Sequence, residues 1–139
     1  MIVLFLYSIQ LAQSVFKIYM TVKIIYKNSS SKKDLTNLLL FVDENFNISG
    51  IKKYISSQEF SYISDLIKNS DLKKDLLVFE INSKKTIFLA SIKKNIKTSD
   101  IENLGAKFHG YIDYDKKNDY VINSDTVSSK IKNFLGYFL

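Results

Sequence analysis

The sequence predicts an α/β layered fold, a sheet of about five strands flanked by helices. Three observations predict it. Short β-branched or apolar runs alternate along the chain with stripes of helical period. One run, "NLLLFV" (Asn37–Val42), is apolar at nearly every position, as a strand covered on both faces requires. No proline- or glycine-rich linker divides the 139 residues, a length suited to one domain with a real core.

The chain opens with an apolar leader, residues 1–19, "MIVLFLYSIQLAQSVFKIY". Sixteen residues precede Lys17, and Ser8, Gln10, Gln13 and Ser14 interrupt them. That is short of the ~20 apolar residues that span a bilayer, so a membrane partner is not expected. The leader lacks the positive n-region of an export signal, although Ala12 and Ser14 are small. An upstream extension before Met20, an added helix or strand, and a weak export signal all remain open.

"TVKIIYK" alternates and is β-branched, which predicts a strand with Val22, Ile24 and Tyr26 on one face. After the polar "NSSSKKD" comes the buried strand at Asn37–Val42. The loop "DENFNISG" then leads into a short amphipathic helix carrying Ile51, Tyr54 and Ile55. Ser56 and Glu59 have capping-box spacing, which starts a helix running to Lys68. Phe60, Ile63, Leu66 and Ile67 fall on one stripe of it. "LLVFEI" and "KTIFLAS" are two strands either side of a tight polar turn, hence a hairpin.

Ser99 and Glu102 repeat the capping spacing and predict a helix with Ile101, Leu104, Phe108 and Ile112 along one side. "DYVINS" is a fifth strand. "SDTVSSKIKNFLGYFL" predicts a closing helix with Val127, Ile131, Phe134, Leu135 and Phe138 inward. It stops on an apolar residue, Leu139, rather than on a glycine or polar cap, so the chain reads as truncated.

The residue inventory carries little chemistry. There is no cysteine, hence no disulfide framework or thiolate site, which suits a reducing compartment. His109 is the single imidazole and no "GxSxG" occurs, so a nucleophile triad is not expected. No histidine pair or calcium-loop pattern predicts a metal site. "DYDKKND" (Asp113–Asp119) has alternating carboxylates but lacks the central glycine and final glutamate, and reads as an acidic turn. Gly50, Gly105, Gly110 and Gly136 are isolated, which disfavours a glycine-rich phosphate cradle and with it ADP-ribose. No catalytic, cofactor-binding or metal residue is therefore assigned.

The formal charge of +6 keeps nucleic acid open as a partner. All 20 basic residues are lysine, though, and lysine lacks the bidentate fork that reads bases or clamps phosphate. A solvated lysine-rich surface is the plainer reading.

"EFSYISDLIKNSDLKKDLLVFEI" (Glu59–Ile81), taken with the run from Asn37, resembles the amino-terminal domain of the leucyl aminopeptidase (cytosol aminopeptidase) family. The family pattern is a buried strand, a helix, a "YIS-x-L-[LI]" helix, a polar "x-x-L-x-x-K" segment and two strands. "YISDLI" at Tyr62–Ile67 and "SDLKKD" at Ser70–Asp75 follow it in order. "DIENLGAKFHGYI" is similar to the next family helix, and "IKNFLGYFL" to the opening of the helix before the catalytic domain. The similarity spans Met20–Leu139 and rests mostly on packing residues.

The resemblance implies a macro-domain-like α/β domain with a mixed sheet, residues 20–139, that helps build a cytoplasmic homo-oligomer, typically a hexamer. Its other partner would be the catalytic domain of the same enzyme, which releases amino-terminal residues from peptides. In that following domain two divalent metals (zinc, manganese or magnesium) would polarise the scissile carbonyl and supply hydroxide. The family's "NTDAEGRL" metal motif is missing here, and its arginine has no counterpart in an arginine-free chain. No family site residue is carried over, and the chain alone is expected to be inactive. The alternative is a free-standing macro-like module binding nucleic acid or a nucleotide.

Overall fold

Asn37–Asp43 (β3) is the axis of the molecule. The computed structural model describes residues 2–7, 21–26, 37–113, 118–127 and 130–139. Within β3 successive side chains point to opposite faces of the sheet. Leu39 and Phe41 enter one apolar cluster; Leu38, Leu40 and Val42 enter another. The continuous apolar run is thus required by burial on both sides, as the sequence predicts.

Around β3 stand Ile2–Tyr7 (β1), Thr21–Tyr26 (β2), Leu76–Asn82 (β4), Lys85–Ile92 (β5) and Tyr120–Asn123 (β6). They form one sheet in the order β2-β1-β6-β3-β5-β4. β3 is parallel to both β5 and β6, while β4–β5, β1–β6 and β1–β2 are antiparallel. Helices cover both faces. Ser57–Ile67 (α1) packs Ile63, Phe60 and Leu66 onto the Leu38/Leu40 cluster. Thr98–His109 (α2) and Phe134–Phe138 (α3) pack Ile101, Leu104, Phe108, Phe134 and Phe138 onto the Leu39/Phe41 cluster. The fold is a three-layer α/β sandwich with a mixed sheet.

Aromatic packing specifies the α2/α3 side. Phe41 meets the rings of Phe134 and Phe138 edge-on, with centroids 4.8 and 5.3 Å away, and Phe88 meets Phe108 likewise at 5.2 Å. Such edge contacts add about 0.5–1.5 kcal/mol each beyond simple burial. At the start of β3, buried Asn37 joins the strands on either side. Its Oδ1 accepts from the Thr86 N–H at 3.1 Å and its Nδ2 donates to the Asp119 carbonyl at 3.3 Å.

The predicted hairpin is present, closed by Ser83–Lys84, with a register shift between Glu80 and Asn82. The capping box at Ser56 is present too: Ser56 Oγ accepts from the Glu59 N–H at 3.2 Å, and Glu59 Oε2 accepts from the Ser56 N–H at 2.8 Å.

Among the described residues the sheet has the five strands expected after Met20 and a sixth, Ile2–Tyr7, the added strand left open for the leader. β2 is a strand as expected; in it Ile25 packs inward, against the Leu38/Leu40 cluster, while Ile24 is 42% exposed. Other expectations are corrected.

The helix expected at Ile51–Ile55 is a 3-10 turn, Ser49–Ile51, although Ile51 and Ile55 are buried as expected. α2 begins at Thr98, not at a Ser99 cap, and Asp100 Oδ2 accepts from the Lys97 N–H at 3.0 Å. The closing helix is only five residues long. Asn133, with φ 57°, breaks it from Val127 and Ile131, which still face the core side. Asparagine tolerates this left-handed backbone better than other non-glycine residues.

Candidate functional site

The parallel strands β6, β3 and β5 end along one rim of the sheet. From β3 the chain turns through Asp43–Ile51 toward α1, on one face. From the adjacent β5 it turns through Lys93–Lys97 toward α2, on the other face. Loops that leave neighbouring parallel strands in opposite directions open a crevice at the strand ends, the usual ligand position in α/β sheets. A cleft of about 630 Å³ lies there, within the ~300–1,000 Å³ range of small-molecule pockets.

Its apolar lining includes the half-buried Ile92, Ile96 and Ile131 and the buried Phe41, Ile51 and Val127. The loop from β3 supplies Asp43, Glu44, Asn45 and Asn47, the loop from β5 supplies Lys93 and Lys94, and the segment after β6 supplies Thr126 and Lys130. Local hydrogen bonds fix these walls. Asp43 Oδ1 accepts from the N–H groups of Asn45 and Asn47 at 3.0 and 2.9 Å, an Asx-type turn. Within that turn Phe46 adopts φ 53° while its ring is buried. Left-handed backbone at a bulky residue costs roughly 1–3 kcal/mol and persists only where its surroundings impose it. Here the Phe46 N–H donates to the Asp43 carbonyl at 3.0 Å.

Across the cleft, the Lys94 N–H donates to Glu44 Oε2 at 3.3 Å, tying the two loops together. Thr126 Oγ1 donates to the Phe41 carbonyl at 2.9 Å, covering the β3 backbone beyond the last rung of β6. Both cleft carboxylates therefore accept backbone hydrogen bonds. Among the described residues the ion pairs are Lys68–Asp65, Lys85–Glu59 and Lys107–Asp75, so Lys93, Lys94 and Lys130 keep their ammonium groups outside any pair. Among the described residues, the titratable groups lining the cleft are Asp43, Glu44, Lys93, Lys94 and Lys130.

The residues singled out from the sequence lie elsewhere. His109 is the last residue of α2, beside Tyr137 and Phe138 of α3 and outside the cleft. Of the Asp113–Asp119 turn, residues 114–117 lie outside the described residues. Among the described residues no three potential metal ligands gather. Gly50 does line the cleft, whereas Gly105 is a packing residue under Phe138.

In Glu59–Ile81 the polar groups are structural. Glu59 caps α1 and also pairs with Lys85 of β5 at 2.5 Å, joining helix to hairpin. Burial pushes its carboxyl up, but hydrogen bonds from Lys85 and Ser56 and the Lys85 charge outweigh this and hold it below the ordinary glutamate value.

Sequence reasoning missed the cleft because its residues come from three separated segments and their convergence depends on strand order. The one available signal was the polar "DEN" directly after the buried strand.

No protein-family model, curated protein or solved structure matches this chain. Among the described residues no helix is long and apolar enough to cross a membrane.

Proposed function

We propose that this chain is a non-catalytic α/β domain of the leucyl aminopeptidase amino-terminal kind, acting in oligomer assembly and active-site access. The observation that supports this reading is the use made of the stretch that carries the resemblance. Phe60, Ile63, Leu66 and Ile67 of the "YISDLI" region pack on the sheet, and Ser56, Glu59 and Lys85 form a structural joint. On this reading a following catalytic domain holds the two divalent metals, the assembly is a hexamer and the compartment is the cytoplasm.

Two measurements test it. The purified chain with manganese is expected not to hydrolyse leucine p-nitroanilide, and turnover would overturn the non-catalytic assignment. Sedimentation of the same sample is expected to show self-association, and a strict monomer at high concentration would remove the assembly role.

A second reading is favoured by the cleft at the strand ends, namely a free-standing module that binds a nucleotide or nucleic acid. A gel shift whose affinity falls steeply with salt would support the nucleic-acid form. Binding indifferent to salt would end it.

A further inference from the structure

We propose that the cleft between the loops leaving β3 and β5 binds a phosphate-bearing small molecule of mononucleotide size. Its apolar body rests on Ile92, Ile96 and Ile131, and its phosphate is held by Lys93, Lys94 and Lys130. The proposal gives the second reading a site and a ligand class, and it rests on that reading.

Four observations converge on it. The cleft occupies the point where the chain leaves β3 toward one face and β5 toward the other, the position at which α/β sheets receive ligands. Its volume of about 630 Å³ suits a mononucleotide rather than a polymer. The charge balance at its rim is asymmetric. Asp43 and Glu44 accept backbone N–H groups, while the three lysine ammonium groups stand outside the ion pairs of the described residues. A dianionic phosphate can engage several such point charges at once, which a single carboxylate does less well.

The fourth observation is Gly50. A Cβ built there meets nothing within 4 Å, and the backbone is not in the left-handed region. Neither packing nor backbone geometry demands glycine at this place. Gly50 is an exposed residue of the cleft lining, next to Ile51, with room for a side chain. Phe46 is held in strained backbone in the same loop, so the wall is fixed before any ligand arrives. A half-open cleft with fixed walls, apolar lining residues and three lysines against two carboxylates at its rim together define a preformed site for an amphipathic anion.

Titration of the full chain with AMP and, separately, with inorganic phosphate, followed by amide chemical shifts, tests the proposal. AMP is expected to bind saturably and to move amides at Gly50, Ile51, Lys93, Thr126 and Val127. Gly50→Trp adds a bulky ring at a lining position with free space and is expected to abolish binding while leaving the thermal transition in place. Lys93→Glu, at an exposed site, is expected to weaken AMP by about tenfold or more, the loss of one charge-assisted contact.

An AMP titration that moves no cleft amide overturns the proposal. If a DNA or RNA gel shift succeeds in that case, the second reading survives without this site; if both fail, the two fall together. Equal shifts from phosphate and AMP, confined to the lysines, would also overturn it by showing diffuse anion contact with no seat for the apolar body. Undiminished AMP affinity in a folded Gly50→Trp variant has the same force.

Discussion

The Tyr54 hydroxyl donates a 3.0 Å hydrogen bond to Asp125 Oδ2, across 71 residues of sequence. It fastens the segment after the 3-10 turn to the loop after β6, and the neighbouring Ile51 and Thr126 both line the cleft. The Lys53 ammonium lies 4.8 Å over the Tyr54 ring. Hydrogen bonding to Tyr54, followed by the Tyr54 charge, raises the Lys53 pKa; desolvation opposes this and the Asp125 charge adds to it. Tyr54→Phe keeps the ring and deletes the bond. At an exposed site the expected loss of global stability is about 0.5 kcal/mol, the low end for a hydrogen bond. Amide hydrogen exchange should rise selectively at 49–51 and 125–127. Unchanged exchange there would show that packing alone holds the loops.

Glu59 makes stability depend on acid. Its folded-state pKa is depressed, so its contribution is complete above the unfolded value of about 4.3 and is lost as pH falls through the lower folded value. Glu59→Gln should cost about 1 kcal/mol near neutrality through the weakened cap and lost ion pair. The gap between wild type and variant should close as pH drops below the ordinary glutamate range. Urea melts at several pH values would reveal it, and a constant gap would mean that the ion pair contributes nothing.

Gly105→Ala places a Cβ against the backbone carbonyl of Phe138. A backbone atom cannot rotate away, so α3 must shift. Alanine has the better helix propensity by about 1 kcal/mol, but a fixed clash of this kind outweighs it. The variant should lose about 1–3 kcal/mol in urea unfolding. Near-ultraviolet circular dichroism should also change, because Phe138 packs against Phe41 and Phe108. A more stable variant would show that α3 is loosely docked.

At Asn133 the left-handed backbone sets the cost of substitution. Asn133→Gly should be close to neutral, and Asn133→Val should lose about 1–2 kcal/mol. Equal unfolding midpoints for the two variants would place the break between Val127 and α3 somewhere other than Asn133.

How far the sequence speaks depends on how local the cause is. The burial of Leu38–Val42 on both faces, the Ser56–Glu59 box and the β4–β5 hairpin are each written in a few adjacent residues. The phase of β2 is not, because Ile24 and Ile25 are equally apolar and only the neighbouring strand decides which turns inward. The break at Asn133 lies inside a helical stripe that continues on both sides of it, so periodicity hides it. The cleft was least legible: "DEN", Lys93–Lys94 and Lys130 are ordinary solvated stretches until strand order brings them together.

The pairing of β1 with β6 has a consequence for how the molecule assembles. Ile2 lies opposite Ile122 in the finished sheet, so β1 is made long before the β6 edge it pairs with. It can meet β2 early, since the two are close in sequence. Its other edge stays open until Tyr120–Asn123 is made, and closing that contact spans more than a hundred residues of intervening sequence. Synthesis rate and chaperone access should therefore act on the yield of this fold through the open edge of β1.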